Sequence, residues 1–171
     1  MAANGTLYFS SARQGGKGSL DIYRSRLVDG KYTEPENLGD GVNTPGPETD
    51  PFIAPDESYL LFASQGRPDG LLGGGAVYAR GDLYISYQVD GHWTPAKSLG
   101  PDINSVFEES NPFVSPDSKY LYFTSERNFT SVPMRRRLNF RELEEKLHGP
   151  GNGLGDIYRV EAAGIINAHA P

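Results

Sequence analysis

The chain contains no cysteine, so neither disulfide bonds nor thiolate chemistry can contribute to its fold or activity. Basic residues are outnumbered, with a formal net charge of -6, and counterion release on duplex DNA or RNA needs clustered Lys and Arg. The only basic run is Arg135-Arg136-Arg137, and its plain reading is a solvated or anion-neutralising loop. No apolar stretch approaches the ~20 residues that span a bilayer. The N-terminus, Met1-Ala2-Ala3-Asn4-Gly5, enters a strand pattern directly and has no signal-peptide pattern. Histidine is scarce. His92, His148 and His169 are scattered and have no metal-ligand spacing, and no Gly-x-Ser-x-Gly elbow accompanies them.

Aromatics, Gly and Pro are abundant. Tyr and Phe dominate the aromatic content, which favours strands. The 21 Gly and 13 Pro fall at intervals between short apolar runs, as turn punctuation does. Those intervals repeat. Asp21-Ile22-Tyr23 aligns with Asp82-Leu83-Tyr84 at a spacing of about 61 residues, and the register holds without a gap for over about forty residues. Asp29-Gly30 meets Asp90-Gly91, Asn43 meets Asn104, and Glu48 meets Glu109. Pro51-Phe52 meets Pro112-Phe113, and Pro55-Asp56 meets Pro116-Asp117. A further copy opens at Gly155-Asp156-Ile157-Tyr158, and an earlier partial one shows Leu7-Tyr8-Phe9-Ser10-Ser11.

Each copy reads as four short antiparallel strands, a to d. Strand a is Pro51 to Ala54, followed by a tight Pro55-Asp56 turn in which Pro presets φ and Asp bonds the backbone. Strand b is Tyr59 to Ser64 and strand c is Asp82 to Gln88. An Asp90-Gly91 hairpin turn then leads to strand d around His92 to Lys97. The nearly continuous apolar sequence of strand b fits a strand covered on both faces. Four strands at this period point to a β-propeller.

The expected fold is therefore all-β, with about three four-stranded antiparallel blades in an incomplete ring. The blades are expected at 6–39, 48–100 and 109–163, the whole of 1–171 being one partial propeller. A single short helix is inserted in the last blade at 139–148. There Asn139 is an N-cap with Glu142 three residues on, and Gly149-Pro150 stops the helix. Phe140, Leu143 and Leu147 share one face, expected to pack on the loop face or to dock a partner. Under three blades cannot close, so self-association or a missing propeller segment is expected to cover the open edges.

These residues resemble the WD40-like repeats of TolB-type propellers, in which Pro-Asp-x-x-Tyr-Leu-x-Phe-x-Ser recurs before an Asp-Ile-Tyr strand. The segment Gly151-Asn152-Gly153-Leu154-Gly155-Asp156-Ile157-Tyr158 is similar to the last blade of a bacterial group of such proteins. The resemblance implies the propeller fold, a periplasmic or extracellular location, and no assigned catalysis.

Long loops alternate with tight turns, so the d–a and b–c loops are expected to share one binding face. Candidate ligand-binding residues there are Glu48, Asp50, Glu108 and Glu109, whose carboxylates could bind Ca²⁺ or a basic peptide at the channel mouth. Arg13, Arg67 and Arg127 follow Ser11, Ser64 and Ser125 at the start of each b–c loop. Their plain reading is a repeated pair with the strand c residues Asp21, Asp82 and Asp156, and the sharper one is ligand contact. Pro55, Asp56, Pro116 and Asp117 are turn formers. The Gly-rich 70–75 stretch lacks the Lys and the helix of a phosphate loop. No cofactor is required. The expected function is a non-catalytic binding or scaffolding module for a protein, peptide or glycan. The alternative is a propeller enzyme, or an enzyme-associated domain, acting on carbohydrate or peptide, with Glu48 and Glu109 as a carboxylate pair.

Overall fold

The computed structural model describes residues 1–71, 80–128 and 137–171. Arg135, Arg136 and most of the Gly-rich stretch lie outside the described residues. Three antiparallel sheets hold most of the strands among the described residues. The first holds β1 (Leu7–Ser11), β2 (Asp21–Ser25) and β5 (Glu36–Asn37), with a small hairpin of β3 (Leu27–Val28) and β4 (Lys31–Tyr32) beside it. The second is ordered β6 (Glu48–Ile53), β7 (Tyr59–Ser64), β8 (Asp82–Val89) and β10 (Lys97–Ser98), with β9 (His92–Trp93) paired to the end of β8. The third holds β11 (Glu109–Val114), β12 (Tyr120–Ser125) and β13 (Asp156–Glu161).

The middle sheet is buried on both faces because side chains alternate along a strand. Leu60 and Phe62 of β7 face the first sheet, in a cluster with Tyr8, Ile22, Val42, Ile53 and Tyr84. Leu61 and Ala63 face the third sheet, in a cluster with Leu83, Ile85, Leu99, Ile103, Leu121 and Phe123. Leu60, Leu61 and Phe62 are all 0 % exposed, so each contributes on the order of 1.5–3 kcal/mol of burial. The apolar run of β7 thus serves two cores at once.

The turns follow from local chemistry. Asp29-Gly30 and Asp90-Gly91 both have positive φ (50° and 74°, 49° and 80°), as a type I′ hairpin requires. In the a–b turns Asp56 accepts from the Ser58 N–H and hydroxyl, and Asp117 accepts from the Lys119 N–H and the Ser115 hydroxyl.

Three expectations change. The d strand is not continuous from His92 to Lys97: Pro95 has no N–H to donate, so the ladder breaks between β9 and β10. Thr94 bridges the gap instead: its N–H donates to the Tyr87 carbonyl, its hydroxyl accepts from the Tyr87 N–H, and its carbonyl accepts from the Ser86 hydroxyl. Strand a begins earlier than Pro51, because β6 and β11 start at Glu48 and Glu109 and carry Pro51 and Pro112 within bulges. Bulges are where a strand tolerates proline. The bulged Asp50 and Asn111 take φ of 52° and 51°, a left-handed conformation that Asp and Asn adopt more readily than most residues.

The third change is a second helix, α2 (Ala162–His169), in the tail after β13, where the sequence pointed to one helix alone. The Ala-rich segment 162–168 suits a helix. Ala162 is fully buried, Ile165 and Ile166 pack on the core between the second and third sheets, and the Tyr87 hydroxyl donates to the Ile166 carbonyl. Helix α1 (Phe140–His148) forms as expected, with both bonds of its capping box between Asn139 and Glu142. It buries no residue, and Phe140 is 79 % exposed.

Candidate functional site

The same side-chain cage stands at the loop end of all three sheets. A Phe of strand b stacks on a Tyr of strand c: Phe9 on Tyr23, Phe62 on Tyr84, and Phe123 on Tyr158, with ring centroids 6.4, 6.1 and 5.7 Å apart. An arginine from the following loop lies over each Tyr ring, at 4.9 Å for Arg13 and 4.7 Å for both Arg67 and Arg127. Its Nε donates to the serine that ends strand b, at 3.2 Å to Ser11 and 2.8 Å to Ser64 and Ser125. Cation–π attraction holds the guanidinium while the serine sets its orientation.

In the second and third sheets a glutamate completes the cage. Glu48 and Glu109 are 0 % exposed. Glu48 accepts from the Thr44 N–H and hydroxyl (2.9 and 2.5 Å) and from the Ser64 hydroxyl (2.8 Å), and lies 3.5 Å from Arg67. Glu109 accepts from the Ser105 N–H and hydroxyl (2.7 and 2.6 Å) and from the Ser125 hydroxyl (2.6 Å), and lies 3.3 Å from Arg127. Arg67 and Arg127 also donate to the carbonyls of Val42 and Ile103. Burial pushes the Glu48 carboxyl above the ordinary glutamate range, despite the Thr44 and Ser64 bonds and Arg67. Burial likewise lowers the Arg67 guanidinium. Desolvation therefore outweighs the pairing on both sides of this ion pair.

The arginines do not pair with the strand c aspartates. Arg67 and Arg127 reach strand a glutamates of their own sheets, because those carboxylates stand directly across the ladder from Ser64 and Ser125. The aspartates instead tie down the b–c loops. Asp21 accepts from the N–H groups of Lys17 and Gly18 and from the Asn37 amide, Asp82 from Leu71 N–H, and Asp156 from Gly151 N–H. Burial raises Asp82 above the ordinary aspartate range, against the Leu71 bond. Gly16 and Gly70 cross directly over these aspartates, where an added Cβ would come within 2.8 Å of the carboxylate oxygen.

The repeated asparagines are a structural link to which sequence reasoning assigned no role. Asn43 exchanges both amide bonds with Ile22, and Asn104 does the same with Leu83. Each d–a loop is thereby pinned to the strand c before it, and matched spacing in the repeat was the signal that could have found them. Glu108 accepts from the Gly81 N–H and is also part of the loop framework.

Asp50 lines open space. A cleft of about 520 Å³ runs between β1, β6 and β11, lined by Tyr8, Phe9, Ser10, Asp50, Pro51, Asn111, Pro112 and Phe113. It lies beside β1, whose outer edge pairs with no strand among the described residues. The hydroxyl of Ser10 on its wall is buried and has no hydrogen-bond partner. Among the described residues no group of three or more His, Cys, Asp or Glu is placed to hold a metal ion. Glu48 and Glu109 reach no solvent and sit in separate cages, so the four carboxylates do not converge at one mouth. No protein-family model matches this chain, and no curated protein matches it.

Proposed function

We propose that the chain is a non-catalytic binding module of the WD40-like, TolB-type propeller kind, and that its partner is a polypeptide. The matched Phe–Tyr–Arg–Ser cage in all three sheets and the middle sheet buried on both faces support the propeller reading. The observation that carries the function is the disposition of charge. The carboxylates and guanidinium groups of the second and third cages are consumed by the fold, while the cleft beside them offers a strand edge, prolines and aromatic rings. That chemistry suits an extended chain rather than proton transfer.

Loop-face recognition, an exported location and cover for the open sheet edges belong to the same proposal. Edge cover comes from self-association or from a further stretch of propeller, and light scattering at micromolar concentration separates the two. A monomeric mass discards self-association. The functional reading is tested by probing arrays of immobilised peptides and glycans with the protein. Saturable retention on peptides is the expected result. Turnover of any peptide or glycan would overturn it in favour of an enzyme.

A further inference from the structure

The first cage is built but lacks its carboxylate. Ser11, Phe9, Tyr23 and Arg13 repeat the arrangement around Arg67 and Arg127, yet among the described residues no strand pairs with the outer edge of β1 and no carboxylate pairs with Arg13. Arg67 is 8 % exposed with its glutamate in place, whereas Arg13 stands open to solvent. A strand paired with β1 as β6 pairs with β7 and β11 with β12 would run beside this cleft, which Tyr8, Phe9 and Ser10 line.

We propose that this cleft binds an extended polypeptide segment of the form Glu-(Thr/Ser)-(Asp/Asn)-Pro-Phe as an added strand on β1, its glutamate completing the Arg13 cage. This deepens the polypeptide-binding reading above and rests on it. The other two sheets set the register. Glu48 stands opposite Ser64, Thr49 opposite Ala63 and Phe52 opposite Leu61; Glu109 stands opposite Ser125 and Ser110 opposite Thr124. By the same pairing the incoming glutamate faces Ser11, the following Thr or Ser faces Ser10, and the Phe faces Tyr8. Ser10, which that Thr or Ser would face, has a buried hydroxyl with no hydrogen-bond partner. Main-chain bonds to the strand edge give affinity, and the buried ion pair gives specificity. The occupant is a segment other than a second copy, because Glu48 and Glu109 of a second copy are already held in the Arg67 and Arg127 cages.

The test is fluorescence anisotropy of a labelled peptide with the sequence of residues 42–54, titrated with the full chain. This peptide carries Thr44 and the Val42 carbonyl, which complete the cage around Arg67. Saturable binding is expected. The peptide carrying Glu48→Gln should bind about tenfold to a hundredfold more weakly, the loss set by one charge-assisted hydrogen bond. Protein variants Arg13→Ala and Arg13→Glu should lose a similar factor. Arg13→Glu should recover part of it with a peptide carrying Glu48→Lys. Because Arg13 is exposed, thermal melts of these variants should match the parent, which separates lost binding from lost folding. Binding that ignores both the glutamate and Arg13, or no binding of this peptide, overturns the proposal. If other arrayed peptides are still retained, the polypeptide-binding reading survives that failure; if none is, both fall. A dimer that Arg13→Glu converts to monomer, with no peptide binding, would make a second copy the occupant and overturn the separate segment.

Discussion

Two copies of one repeated device differ in whether a carboxylate faces the arginine. In the second sheet Arg67 lies over Tyr84, holds Ser64, faces Glu48 and is almost wholly buried; in the first, Arg13 lies over Tyr23, holds Ser11 and stays exposed. The aromatic stack and the serine come from strands b and c, which both sheets possess. The carboxylate comes from strand a, which only the second has. The arginine is thus positioned before any anion arrives, by ring faces and one hydroxyl. The carboxylate then changes its burial more than its position.

The largest expected effect lies in the core that separates these two environments. Phe62→Ala should cost about 3–5 kcal/mol in denaturant unfolding, because the ring is fully buried between sheets. Phe9→Ala, at the half-buried counterpart, should cost well under half as much. Equal losses would break the comparison.

Next comes the ion pair. Arg67→Ala leaves Glu48 as an uncompensated buried charge and should cost about 3 kcal/mol, against about 0.5 kcal/mol or less for the exposed Arg13→Ala. The same unfolding experiment reads both.

A smaller effect is one of pH. Burial raises the Glu48 pKa, so the folded chain holds that proton more tightly than the unfolded chain. Its contribution to stability is therefore present at low pH and lost as pH rises from the ordinary glutamate range through the raised folded value. Glu48→Gln should flatten the stability profile in that window, although the variant is less stable throughout because an amide N–H₂ faces the Thr44 and Ser64 donors. An unchanged slope would mean that Glu48 does not titrate there.

The smallest effect belongs to the turn. The Ser58 hydroxyl and N–H hold Asp56 below the ordinary aspartate range, so its contribution is present at neutral pH and fades as pH falls through that lowered value. Asp56 is solvent-exposed, and screening should limit Asp56→Ala to about 0.5 kcal/mol. Thermal melts at neutral and acid pH should converge for parent and variant.

Much of the strand order was legible. The apolar run of residues 59–64, the Asp-Gly hairpins and the Pro-Asp turns are dictated by local chemistry, and each formed where the repeat places it. The capping box of α1 was legible for the same reason. The candidate site was less so. Glu48, Glu109 and the three arginines were identified as repeated groups, but their pairing was not. The Arg–Asp expectation failed because sequence proximity to strand c suggested one partner while the ladder between strands a and b supplied another. Helix α2 was missed because its main partners, Tyr87 and the core of the neighbouring sheet, lie far away in the chain.

The sequence alone determined the three copies, their turns, the strands that alternate or run apolar, and the charges that recur in each copy. These follow from backbone preference and side-chain periodicity within a few residues. Tertiary structure alone decided which carboxylate meets which guanidinium, which glutamates lose all contact with water, and that the first copy keeps an arginine without one. The physical reason is that pairing and desolvation depend on what lies across a ladder or between two sheets, and neither neighbour is adjacent in the chain.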